Sequence, residues 1–115
     1  MAVLNKTRGK TLAKQLLMLN SNFHDTLRFL SQSGIPPDSA LWITPCRGIY
    51  TIGHQQPVDI AFLDRDGHVV CMFRNFPPDC LADATRGAVS ALELPANVLA
   101  ESGTDVGDTL QLDPV

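Results

Sequence analysis

The sequence is short of basic charge: nine Lys and Arg against twelve Asp and Glu leave a net charge of −3 across 115 residues. Such a chain offers no cationic field to gather phosphates, which argues against nucleic acid as a partner. Cysteine is scarce and odd in number, with only Cys46, Cys71 and Cys80. Three thiols do not make a disulfide framework, so a reducing compartment fits better than an oxidising one, and no Cys46–Cys80 bridge is expected. Long apolar runs are missing too. In "MAVLNKTRGKTLAKQLLMLN" basic residues interrupt every candidate span. Neither a signal peptide nor a membrane span is legible there, and the cytoplasm is the expected location. Among His24, Cys46, His54, His68, Cys71 and Cys80 no C-x-x-C or H-x-x-x-H pair closes a tetrahedral site, so no metal and no cofactor is expected. Internal repeats, low-complexity tracts and interdomain linkers are absent, and the length suits one domain over residues 1–115, with 1–10 as a flexible N-terminal segment.

What is present is an apolar fraction of 44%, enough for an ordinary globular core. "TLAKQLLMLN", residues 11–20, reads as a first strand. Ser21 or Asn22 can cap a following helix whose Phe23, Leu27 and Leu30 recur at helical spacing until Gly34 stops it. "GIPPD" then breaks the chain. The segments "ALWIT", "GIYTI", "VDIAFL", "HVVCMF" and "AVSALEL" are short, β-branched or aromatic, and punctuated by Pro, Gly or Asp, so each reads as a strand. "PANVLAESG" is a short helix with Pro95 at its first position and Gly103 just past its end, and "VGDTLQLD" closes the chain as turn and strand. The fold class is α+β, mainly β, with one or two short helices.

Acids supply the candidate chemistry. "DRDG" between two apolar runs is a hairpin turn: Asp side chains bond back to turn amides and Gly67 accepts positive φ. A calcium loop of the EF-hand type would need oxygen ligands where Phe62 and Phe73 stand. Asp59 sits inside a strand and shares its face with Ala61 and Leu63. A carboxylate there needs hydrogen-bond donors, such as the Thr51 or Tyr50 hydroxyl or loop amides, or else serves as a general base. Glu93, between Leu92 and Leu94, reads as a rim residue near a helix N-terminus or as a second site acid. Cys46, beside Arg47 and eight residues before His54, is the one candidate thiol nucleophile, and Cys71 reads as core.

Taken together, "ITPCRGIYT", "PVDIAFLDRDGHVV", "AVSALELPAN" and "VGDTL" resemble, in order and spacing, the bacterial and archaeal family called domain of unknown function 192. The resemblance implies a compact, barrel-like antiparallel or mixed sheet with one or two helices, and it brings no established activity. Where relatives often carry His after the Pro-Cys turn, this chain has Tyr50, and it has Ile52, Gly53 and His54 where they carry a bulkier apolar run.

Two functions remain open. One is a small non-catalytic binding or interaction module working through loops around 45–57 and 74–87, with Arg47, Tyr50, Thr51, His54, Asp59 and Glu93 contacting an unknown small molecule or protein partner. The other is a small hydrolase-like or redox enzyme using Asp59 with Cys46 or His54. Convergence discriminates them: one shared pocket favours the enzyme, and Asp59 capped by backbone amides removes it.

Overall fold

A computed structural model describes residues 2–20 and 34–113. The helix expected around Phe23, Leu27 and Leu30 lies outside the described residues.

Ten strands and one short helix make up these residues: β1 (Val3–Asn5), β2 (Lys10–Ala13), β3 (Gln15–Asn20), β4 (Ser39–Thr44), β5 (Gly48–Tyr50), β6 (Val58–Leu63), β7 (Val69–Phe76), β8 (Leu81–Asp83), β9 (Ser90–Pro95), α1 (Val98–Ser102) and β10 (Leu110–Leu112). They form a five-stranded sheet in the order β3-β4-β9-β6-β7, a three-stranded sheet β10-β1-β2 and a two-stranded ribbon β5-β8. Only the β3–β4 pair of the central sheet is parallel. The class is mainly β as expected, but among the described residues the sheets do not close into a barrel: β3 and β7 stand at the two sides of the central sheet.

The N-terminus corrects the expectation of a flexible segment over 1–10. Val3 is fully buried, and β1 pairs with both β2 and β10. The run over 11–20 is also two strands rather than one. Lys14 and Gln15 both donate their amides to the Asp38 carbonyl, and at that point the chain leaves the three-stranded sheet for the central one.

Alternation of side chains then gives the central sheet two apolar faces. Ala61 and Leu63 of β6 and Leu92 and Leu94 of β9 pack with Val3, Leu12, Leu99 and Leu110, under the three-stranded sheet and α1. Val58, Ile60 and Phe62 of β6 and Ala91 of β9 pack with Ile49 and Ala82 of the β5-β8 ribbon on the other side. Burial on both faces explains why β6 and β9 read as nearly continuous apolar runs, and why an acid in either must meet a special environment.

The hairpin between β6 and β7 forms as its residues dictate. The Asp64 carboxylate accepts the amides of Asp66 and His68 at 2.9 Å, and Gly67 has φ 84°. Its tip is not free: Leu110 donates to the Gly67 carbonyl, and a Cβ on Gly67 would stand 2.6 Å from the Leu110 carbonyl oxygen.

Candidate functional site

Asp59 is fully buried on the α1 face of β6, opposite Leu94 of β9. Its Oδ1 accepts the Asn75 amide and its Oδ2 the Leu99 amide, both at 2.8 Å. The first donor exists because β7 bulges opposite Asp59 and Asn75 takes φ 50°. The second is an orphan amide in the first turn of α1, whose own N-cap, Asn97, makes no side-chain cap. Asp59 therefore caps a helix from a distant strand. That position ends the pairing of Asp59 with Cys46 or His54, since it faces α1 and they lie across the sheet.

Glu93 occupies that other face. Ile60 stands directly across from it on β6 and Leu41 on β4, so it points away from α1 and is not the helix-rim acid that its place before Pro95 suggests. It is 2% exposed, and burial pushes its carboxyl up to about 7. His54 reaches it from the β5–β6 loop, with Nε2 4.0 Å from Oε1, just beyond hydrogen-bond range. Burial also pushes the imidazole down, against the pull of the Asp79 charge, and Nδ1 has no hydrogen-bond partner among the described residues. Cys46 follows the cis Thr44–Pro45 bond and donates its thiol to the Gly48 carbonyl at 3.2 Å. Burial pushes that thiol up, and the nearby Glu93 charge adds to the effect. The three groups thus share one side of the sheet, but the thiol is held protonated and is a poor nucleophile. What the cluster can do near neutral pH is exchange a proton at Glu93.

Around this cluster the loops are tied together by Thr51, which is fully buried. Its hydroxyl lies 2.7 Å from the Pro77 carbonyl and 3.1 Å from the Cys80 carbonyl, and accepts the Cys80 amide at 3.0 Å. Its own amide donates to Cys80 and its carbonyl accepts from Asp79 and His54. Thr51 is a buried fastening point between the two loops. The neighbours it fixes are exposed: Tyr50 at 62%, Ile52 at 62% and Leu81 at 49%, with Tyr50 and Leu81 paired across the ribbon. Arg47, also exposed, lines a shallow depression with Pro45, Gly87, Ala88 and Val89.

Asp64, Asp66 and His68 could between them offer three ligand atoms to a cation, although both Asp64 oxygens already serve the turn and the His68 ring. A polar clasp that the sequence did not single out joins the chain's two ends. Asn5 donates to Thr104 and Asp108, and Arg8 pairs with Asp108 at 2.9 Å. The Arg8 and Asn5 side chains hold the Asp108 carboxyl down at about 2.

Among the described residues no helix is long and apolar enough to cross a membrane. Two solved structures share the fold. A protein of unknown function from Novosphingobium aromaticivorans DSM 12444 has a TM-score of 0.80 and 16% identity, covering 96% of this chain and 84% of its own. A Sinorhizobium meliloti 1021 protein described as a "putative transcription regulator" has a TM-score of 0.78 and 17% identity, covering 96% and 90%. Among curated proteins no sequence match is found. Residues 5–112 match the family model described as an uncharacterised group, and the chain belongs to that family, DUF192.

Proposed function

We propose that the chain is a one-domain, non-catalytic binding or interaction module, working in the cytoplasm, whose surface is built from the loops around 45–57 and 74–87. The observation that carries this reading is the Thr51 fastening, which joins both loops through side-chain and backbone bonds and holds Tyr50, Ile52 and Leu81 exposed beside it. Large apolar side chains displayed on a rigid frame suit a partner or small molecule, because little ordering entropy is lost on binding. An enzyme built on Asp59 has no comparable support, since both Asp59 oxygens are bonded to backbone amides. The regulator description of the Sinorhizobium protein finds little support in this chain's net charge of −3.

Backbone-amide NMR against a collection of small-molecule fragments, with thermal unfolding in parallel, tests the reading. Shifts should concentrate at Arg47, Tyr50, Ile52 and Leu81, and binders should raise the unfolding midpoint. Fragments that perturb only other surfaces, such as the 64–68 hairpin, would refute it.

A further inference from the structure

We propose that the buried His54–Glu93 pair is a proton-operated latch: loss of the Glu93 proton draws His54 inward and resets the 51–57 loop beside the exposed Tyr50 and Ile52. The biological use of the latch rests on the binding surface proposed above, whereas its operation does not.

The two partners differ in freedom. Glu93 is fixed on β9, which is paired on both sides, by β4 and β6. His54 belongs to a loop and is held through its amide by the Thr51 carbonyl at 3.1 Å. Its neighbour Gly53, with φ 86°, donates to Asp79 Oδ1 at 3.3 Å. At 4.0 Å the side chains are too far apart to hydrogen-bond, which suits a neutral carboxyl and a neutral ring. When the carboxyl releases its proton to solvent, a bare carboxylate remains between Leu41 and Ile60, and such a charge requires a donor. The neutral imidazole supplies it, keeping its single proton on Nε2 and donating it after a shift of about 1 Å toward the carboxylate. One proton leaves the protein, and no second group changes charge.

Four elements face the pair with groups of their own. Cys46, from the β4–β5 turn, is protonated and donates to Gly48, so it adds no charge. Asp79, from the β7–β8 loop, partly opposes the effect of burial on His54, but burial prevails and the ring stays neutral. Leu41 and Ile60, from β4 and β6, add only apolar surface. Burial sets the working range, since it holds the Glu93 carboxyl at about 7. Because Gly53 is bonded to Asp79, the movement of His54 passes to both loops of the surface.

Carbon-detected NMR of the labelled Glu93 carboxyl and amide spectra of the free protein, followed from about pH 5 to about pH 9, test the latch. The carboxyl and the amides of Ile52, Gly53, His54 and Asp79 should titrate together with a midpoint near 7. In Glu93→Gln the amide response should vanish. In His54→Gln the carboxyl should still titrate while the loop response weakens severalfold. A carboxyl with no midpoint in this range, loop amides that stay flat while it titrates, or a loop response that survives Glu93→Gln would each overturn the proposal. No ligand is present in this measurement, so a failed fragment screen leaves the latch standing, and a flat titration leaves the binding surface standing.

Discussion

Replacing Glu93 by Gln should make the protein progressively more stable relative to the parent as pH rises from acid through neutral. A carboxyl that burial holds up at about 7, against an ordinary 4.5, binds its proton more tightly in the folded chain than in the unfolded one. Between these two values the unfolded chain has lost the proton and the folded chain has kept it, so stability falls as pH rises, and above the folded value the loss is complete. At about 1.4 kcal/mol for each tenfold difference in proton affinity, the interval corresponds to about 3 kcal/mol. Gln has nearly the same shape and no proton to lose. Whatever its amide costs in this apolar place is constant with pH, so the difference between the two proteins isolates the ionisation. Urea unfolding of both at about pH 4, 6 and 8 measures it through the midpoints at equal slope. The stability of Glu93→Gln relative to the parent should climb through this series and flatten above about 7. A difference that stays constant with pH would refute the argument, because it would mean that folding leaves the proton affinity of Glu93 unchanged.

Asp59→Asn should lower stability by about 1 to 3 kcal/mol, since one of the two buried oxygens that accept backbone amides is replaced by a donor, and it should speed hydrogen exchange at Leu99; an unchanged midpoint would remove Asp59 from the role of cap. Gly67→Ala should cost about 2 kcal/mol or more, because φ 84° is unfavourable with a Cβ and that Cβ meets the Leu110 carbonyl; a neutral outcome by thermal unfolding would contradict the docked hairpin. The Asp108 carboxyl, held at about 2 by Arg8 and Asn5, should contribute stability that is present above its unfolded value near 4 and lost as pH falls toward about 2. Asp108→Asn should flatten that acid limb in denaturant titrations, and an unaltered limb would count against the clasp.

The two-sided burial of β6 and β9 could be read from their apolar runs, and so could the Asp64–Gly67 turn, because both depend on neighbours in sequence. The three-residue strands β1 and β8 could not. β1 and β8 are too short to show alternation, and their pairing is with distant segments. The break at Lys14 was hidden for a similar reason, since the carbonyl that receives Lys14 and Gln15 belongs to Asp38, a residue with φ 61°. At α1 the stop at Gly103 was legible but the start was not. Pro95 closes β9, and Asn97 at φ 79° intervenes before the helix begins, because the cap comes from Asp59 rather than from a nearby side chain. Asp59 and Glu93 could be singled out in the sequence as acids embedded in apolar strands, but the faces they take depend on the β6–β9 register. Residue types along one strand do not contain that pairing.

The two acids also show how similar sequence contexts meet opposite surroundings. Each stands among aliphatic residues in a central strand, and each is almost wholly buried. On the α1 side, a bulge and a helix start bring two unpaired amides to Asp59, and these donors satisfy both of its oxygens. On the ribbon side the described residues bring Glu93 no hydrogen bond, only an imidazole 4.0 Å away. A carboxyl left in that state lowers stability at neutral pH, and a Gln or an apolar residue would remove the loss. Acids held against stability in this way are found where a protein uses them. The cost falls on the same side of the sheet as the fastened loops and their exposed Tyr50 and Ile52, so the energetic argument and the surface argument, made from different residues, point to one end of the molecule.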